Sequence, residues 1–172
     1  WLLSPEGIAV FYCREGVREQ LRVNQQGWHM VDEPYQFNRT QWNPSKTALR
    51  FEAGSPNTLG QAGMHASICL LQEVGMQQVE DLVTRNTLAL SNGLTDITGV
   101  KLVRPFDPER VSGIVSFKPD NRSLFEIQKQ LKQKGLSCTV RGEAIRLSPH
   151  FYQAGDPVQE ILDLIENVLN IK

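Results

Sequence analysis

The chain has 172 residues, 40% of them hydrophobic, and a formal net charge of −1. That length supports one substantial core or two small ones sharing an interface. The near-neutral charge gives no field for nucleic acid or anionic lipid, and no apolar run approaches a membrane span. Three cysteines, Cys13, Cys69 and Cys138, include no CxxC pair, as expected of a reduced, cytoplasmic protein without disulfides or structural zinc.

The sequence opens at Trp1 on Trp-Leu-Leu-Ser-Pro-Glu-Gly, with no polar lead-in, and reads as the interior of a longer polypeptide. Ile8 to Cys13 is an uninterrupted apolar run, the pattern of a strand buried on both faces. Residues 14–21 suit a short helix. Residues 22–50 lack periodicity and read as long loops with short elements, a frequent place for function.

The stripe Leu59, Ala62, Ala66, Leu70 and Val74 predicts a helix from Thr58 to Val74. Gly75 breaks it. A second helix over 76–93 carries Val79, Leu82, Val83 and Leu90 and stops at Asn92-Gly93. Beyond about residue 97 the pattern becomes short α+β units. Strands are expected at 100–103, 113–117, 136–140 and 144–148. A helix with the capping box Ser123/Glu126 follows the second of these. The last helix starts at Asp156-Pro157, with Asp as N-cap, and presents Val158, Ile161, Leu162, Ile165 and Leu169.

Arg50 to Thr58 (Arg-Phe-Glu-Ala-Gly-Ser-Pro-Asn-Thr) sets a polar loop before a helix start. The free N–H groups and positive dipole end there suit an anion. Ser55 and Gly54 then offer a hydroxyl and close backbone approach; the plainer alternative is an ordinary helix start capped by Asn57 or Thr58. Arg50 and Glu52 are expected to pair with each other. Arg146 alternates with Ile145 and Leu147, which sets a guanidinium on the polar face of a strand. Arg141 either reaches a ligand or opens the turn with Gly142. Cys138 reads as a small buried strand residue. His29, His65 and His150 show no metal-ligand spacing.

Three segments in order carry a resemblance: Trp1 to Val10, Arg50 to Thr58, and Val140 to Tyr152 (Val-Arg-Gly-Glu-Ala-Ile-Arg-Leu-Ser-Pro-His-Phe-Tyr). Together they resemble the C-terminal half of fold-type I pyridoxal-phosphate enzymes of the class V aminotransferase family, the group with cysteine desulfurases, selenocysteine lyases and kynureninases. The resemblance implies an α/β to α+β architecture. Residues 1–94 would be the remainder of the large pyridoxal-phosphate-transferase domain with its linking helix, and 95–172 a small C-terminal α+β domain. It implies a homodimer in which Gly54 and Ser55 bind the cofactor phosphate of the partner subunit. Arg146 would grip the carboxylate of a small amino-acid substrate. Arg141 and Trp28 are further substrate-side candidates, Trp28 having the alternative of a loop side chain packed on the core. The Schiff-base lysine would fall just before Trp1, so no catalytic residue and no covalent cofactor attachment are expected in this chain. Desulfurases of the family carry a persulfide-forming Cys on a mobile loop, for which the spacing of Cys138 and Arg146 leaves no room. Two functions follow: part of a pyridoxal-phosphate enzyme of transaminase-, lyase- or desulfurase-like chemistry, or a non-catalytic truncated homologue or dimerisation module.

Overall fold

The computed structural model describes residues 2–104, 107–120, 122–153 and 157–170. The chain divides into two compact units, Trp1–Leu70 and Leu71–Lys172.

The first unit is mostly irregular. Ile8 to Cys13 forms no strand, against expectation. Val10, Phe11 and Tyr12 are 68%, 58% and 80% exposed. A strand needs a neighbour for its backbone groups, and the described residues supply none. The short helix α1 covers Glu15–Arg18. Single 3₁₀ turns at Trp28–Met30 and Ala48–Phe51 punctuate the long loop. A lone bridge between Val31 and Pro44 ties it, and Ser45 donates its backbone N–H to the Met30 carbonyl at 2.8 Å.

Helix α2, Thr58–Val74, has the predicted bounds. Its buried face is not the predicted one. Leu59 is 82% and Leu70 45% exposed, whereas Met64, Ser67 and Leu71 are buried. The inward side is set by small residues. The extended segment near Pro5 lies so close that a Cβ at Gly63 would sit 2.5 Å from the proline ring. Ser67 Oγ donates to the Leu3 carbonyl at 2.9 Å. Close backbone approach therefore decides which face is covered.

Helix α3, Met76–Asp96, begins after Gly75, whose φ of +88° breaks the chain between the helices. It runs past the predicted stop at Gly93, because Gly93 is an inner contact point rather than a cap. A Cβ there would lie 2.9 Å from Leu162 Cδ2. Four antiparallel strands follow: β1 (Val100–Leu102), β2 (Val115–Pro119), β3 (Thr139–Arg141) and β4 (Ala144–Leu147), in the order β1-β2-β4-β3. Helix α4 (Leu124–Gln133) lies between β2 and β3, and α5 (Pro157–Asn170) closes the chain. The hairpin from β3 to β4 turns through Gly142 at φ +57°, which a side chain disfavours.

One face of this sheet carries Phe117, Ile145, Leu147 and Val115. With Leu90, Leu94, Ile127, Leu131, Ile165 and Val168 from the helices they form one core. A smaller cluster joins Leu71, Val79 and Val83. The last helix buries Val168, which the expected apolar face omitted. Ser123 is the N-cap of α4 but makes no side-chain capping bond, so the expected capping box is not formed. The Asp156 cap lies outside the described residues. The fold is mixed α and β, with helices packed on a small antiparallel sheet.

Candidate functional site

In the first unit, the loop predicted to hold an anion borders a cavity of about 440 Å³ lined by Gly7, Phe11, Phe51, Gly54, Ser55 and Asn57, among others. Asn57 caps α2: its Oδ1 accepts the Gly60 N–H at 2.9 Å, and its Nδ2 reaches the Gly7 carbonyl at 3.5 Å. The Thr58 N–H is taken by the Pro56 carbonyl. Part of the free N–H set at the helix start is therefore already satisfied by the chain itself. The exposed Ser55 hydroxyl and the half-buried Gly54 backbone remain toward the cavity.

The same unit brings Trp28 to this loop. A Cβ built on Gly54 would meet only the Trp28 indole Nε1, at 4.0 Å. One step back, Gly27 is pressed against Ala53: an added Cβ would fall 2.5 Å from the Ala53 carbonyl carbon and 2.7 Å from its Cα. Only a residue without a side chain permits that approach. In sequence Gly27 reads only as part of the substrate-side segment Gly27-Trp28-His29; nothing there marks this packing role. Trp28 is 43% exposed and meets Tyr35 edge-on at 5.9 Å and Phe37 at 6.1 Å between ring centroids. Its neighbour His29 is buried.

The predicted Arg50–Glu52 pair does not form. The 3₁₀ turn at Ala48–Phe51 breaks the alternation that would have set both on one side. The Arg50 guanidinium instead stands 5.9 Å over the Phe51 ring, with Nε buried and without a hydrogen bond. Phe51 in turn packs edge-on against Phe11 at 5.3 Å.

In the second unit, Arg146 sits in β4, which is flanked on both sides. It registers with Ser116 of β2 and Thr139 of β3, while its neighbours Ile145 and Leu147 are buried in the core. The side chain is half-buried, and its Nε is buried without a hydrogen bond. A half-buried guanidinium with a buried, unused Nε donor is suited to a carboxylate. Arg141 is exposed at the end of β3, opposite Ala144.

Cys138 is buried, 5% exposed, immediately before β3 rather than within it. Gln128 donates to its carbonyl at 2.9 Å. Burial pushes its thiol above the ordinary range, with Lys132 opposing weakly. His65 is exposed and lies 3.7 Å from Cys69 Sγ through Nε2. Among the described residues no cluster of His, Cys, Asp and Glu could hold a metal ion, and no helix is long and apolar enough to cross a membrane.

Trp28, Gly54 and Ser55 thus belong to the first unit and Arg141 and Arg146 to the second. The aminotransferase class-V family matches residues 2–153, and the chain belongs to it. It is 30% identical over 139 residues to the probable cysteine desulfurase 2 of Mycobacterium leprae, covering 81% of this chain and 32% of that protein. The apo cysteine desulfurase of Thermococcus onnurineus superposes with a TM-score of 0.82 at 21% identity, over 98% of this chain and 44% of that one. A mutant of C-DES with glycine covalently linked to its PLP cofactor superposes with a TM-score of 0.76 at 19% identity, over 91% and 40%. The chain therefore spans well under half the length of these relatives, and the cofactor that the family implies is pyridoxal phosphate.

Proposed function

We propose that this chain is the C-terminal portion of a pyridoxal-phosphate enzyme acting on a small amino acid, with transaminase-, lyase- or desulfurase-like chemistry. The observation that carries the reading is Arg146: a half-buried guanidinium on the polar face of a central strand, with an unpaired buried Nε. Burial raises the worth of each hydrogen bond it makes, and its planar fork matches a carboxylate. It would fix the substrate by its carboxylate and so orient the bonds at the α-carbon. Arg141 would add positive charge near the same group.

Pyridoxal phosphate, when bound, supplies an electron sink for the pair released at that carbon. Ser55 and the Gly54 backbone would hold its phosphate from across a homodimer interface. The cavity beside them and the open space over Gly54 leave room for phosphate oxygens. Trp28 would wall the substrate side of that loop. By the family resemblance, the cofactor-binding lysine would lie outside these 172 residues. The second reading is a non-catalytic truncated homologue or dimerisation module, should no such lysine exist. The division into 1–94 as part of a major domain and 95–172 as a small α+β domain belongs to this proposal. So do a cytoplasmic location and a buried Cys138 that carries no persulfide.

The test is Arg146→Gln in the full-length protein. A lost charged hydrogen bond costs roughly 1.5–3 kcal/mol. Amino-acid affinity, read from the change in cofactor absorbance, should fall about 10- to 150-fold, and Arg146→Lys should restore little of it because a point charge lacks the fork. Unchanged affinity in Arg146→Gln sinks the carboxylate assignment. Borohydride trapping on the 172-residue chain should yield no reduced cofactor adduct; a stable adduct on one lysine would overturn the proposed division of the active site.

A further inference from the structure

The second unit holds a cavity that the reading above does not use. It measures about 280 Å³ and lies between α3, the end of β1 and the chain leading into β2.

Its lining is ordered by depth. Thr87 and Ser91, one helical turn apart on α3, are 4% and 6% exposed and line the cavity together. Thr87 Oγ1 is buried and makes no hydrogen bond. A helical threonine usually returns its hydroxyl to the backbone a turn earlier, and an unpaired buried hydroxyl costs free energy. The walls include the aliphatic side chains of Leu102, Val111 and Val115.

At the mouth stand two guanidinium groups, Arg104 and Arg110. Arg110 is already engaged, its Nε 3.5 Å from Asp107 Oδ2, and Asp107 also accepts the Glu109 N–H at 3.0 Å. Arg104 has no ion pair among the described residues and is the exposed, uncommitted cation.

We infer that this cavity is a second binding site, for a small carboxylate with a short apolar body that itself bears a hydroxyl. The carboxylate lies on Arg104, whose fork donates two hydrogen bonds to it. The carbon body lies against the aliphatic walls, and the hydroxyl completes the unmet bond of Thr87. A compact inorganic phosphate satisfies the mouth but not the walls or the floor.

The test uses 3-hydroxybutyrate, butyrate and inorganic phosphate as probes of the full-length protein, with dissociation constants from ligand-observed NMR. 3-Hydroxybutyrate should bind saturably. Arg104→Gln should weaken it at least 10-fold. Thr87→Val, which is close in shape and is checked for an unchanged thermal melt, should weaken it 2- to 10-fold, and Thr87→Ser should restore it. Butyrate on the parent protein should bind as weakly as 3-hydroxybutyrate binds to Thr87→Val. The inference is overturned if neither variant changes binding, or if phosphate and butyrate match 3-hydroxybutyrate on the parent protein. It is equally overturned if Arg146→Gln abolishes binding while Arg104→Gln does not. That last result would place the probe at the proposed substrate arginine and leave the proposed function standing.

Discussion

Replacing Gly27 with Ala tests how the loop beside Trp28 is held. Gly27 has φ −151°, an extended conformation that alanine adopts freely, so the perturbation is steric alone. The new Cβ would lie 2.5 Å from the Ala53 carbonyl carbon, against 3.4 Å for the start of ordinary contact. The Ala53 carbonyl oxygen lies closer still, so the two loop segments must part by more than about 0.9 Å, and both are backbone, so no side-chain rotation relieves the clash. Overpacking of this kind costs roughly 1–3 kcal/mol. In a unit of this size each kcal/mol lowers the melting temperature by about 4–8 °C. Because Ala53 precedes Gly54 and Ser55, the shift should also weaken cofactor binding, as misplacements near 1 Å do. Gly54→Ala is the control: its Cβ meets only Trp28 Nε1 at 4.0 Å, so it should melt as the parent does while still lowering cofactor affinity. The measurements are thermal unfolding by circular dichroism and cofactor titration. A Gly27→Ala protein that melts with the parent and binds cofactor equally refutes the reasoning.

Other outcomes follow from single contacts. Asn57→Ala removes the cap on Gly60 and the bond to the Gly7 carbonyl, and should cost about 0.5–2 kcal/mol in urea unfolding. Phe117 is 0% exposed in the main core; Phe117→Ala should cost roughly 3–5 kcal/mol, read as a lower urea midpoint with an unchanged slope. Burial raises the Cys138 thiol. The stability tied to its neutral form is therefore complete below the ordinary thiol value and is lost as pH rises through the raised folded value. Cys138→Ala should flatten stability on that alkaline side, whatever it costs at neutral pH. Iodoacetamide at neutral pH should label exposed Cys69 and spare Cys138, with peptide mass spectrometry as the readout.

Much of the second unit was legible in the chain. Stripes such as Val79/Val83/Leu90 and Val158/Leu162/Ile165 met a core because an apolar face at helical spacing has one way to leave water. Ile145 and Leu147 turned inward around Arg146 for the corresponding reason in a strand. The boundaries moved where a residue had two meanings. Gly93 reads as a stop, yet it serves α3 as a contact point for Leu162.

The first unit shows the opposite case. Periodicity alone established that Thr58 to Val74 is a helix, since that depends on neighbours along the chain. It pointed to Leu59, Ala62, Ala66 and Leu70 as the inner face, and the fold covers the other side, around Met64 and Ser67. That choice depends on a segment sixty residues away in sequence, Leu3 to Pro5, lying against Gly63 and Ser67. The composition of Ile8 to Cys13 likewise specified an apolar segment but not the strand beside it. The family, the loop at Gly54-Ser55 and the strand arginine were written in local sequence, because each is a short pattern of residue types. The approach of Gly27 to Ala53, the unused donor on Arg146 and the empty bond of Thr87 arise only when distant parts of the chain meet, and only the tertiary structure decided them.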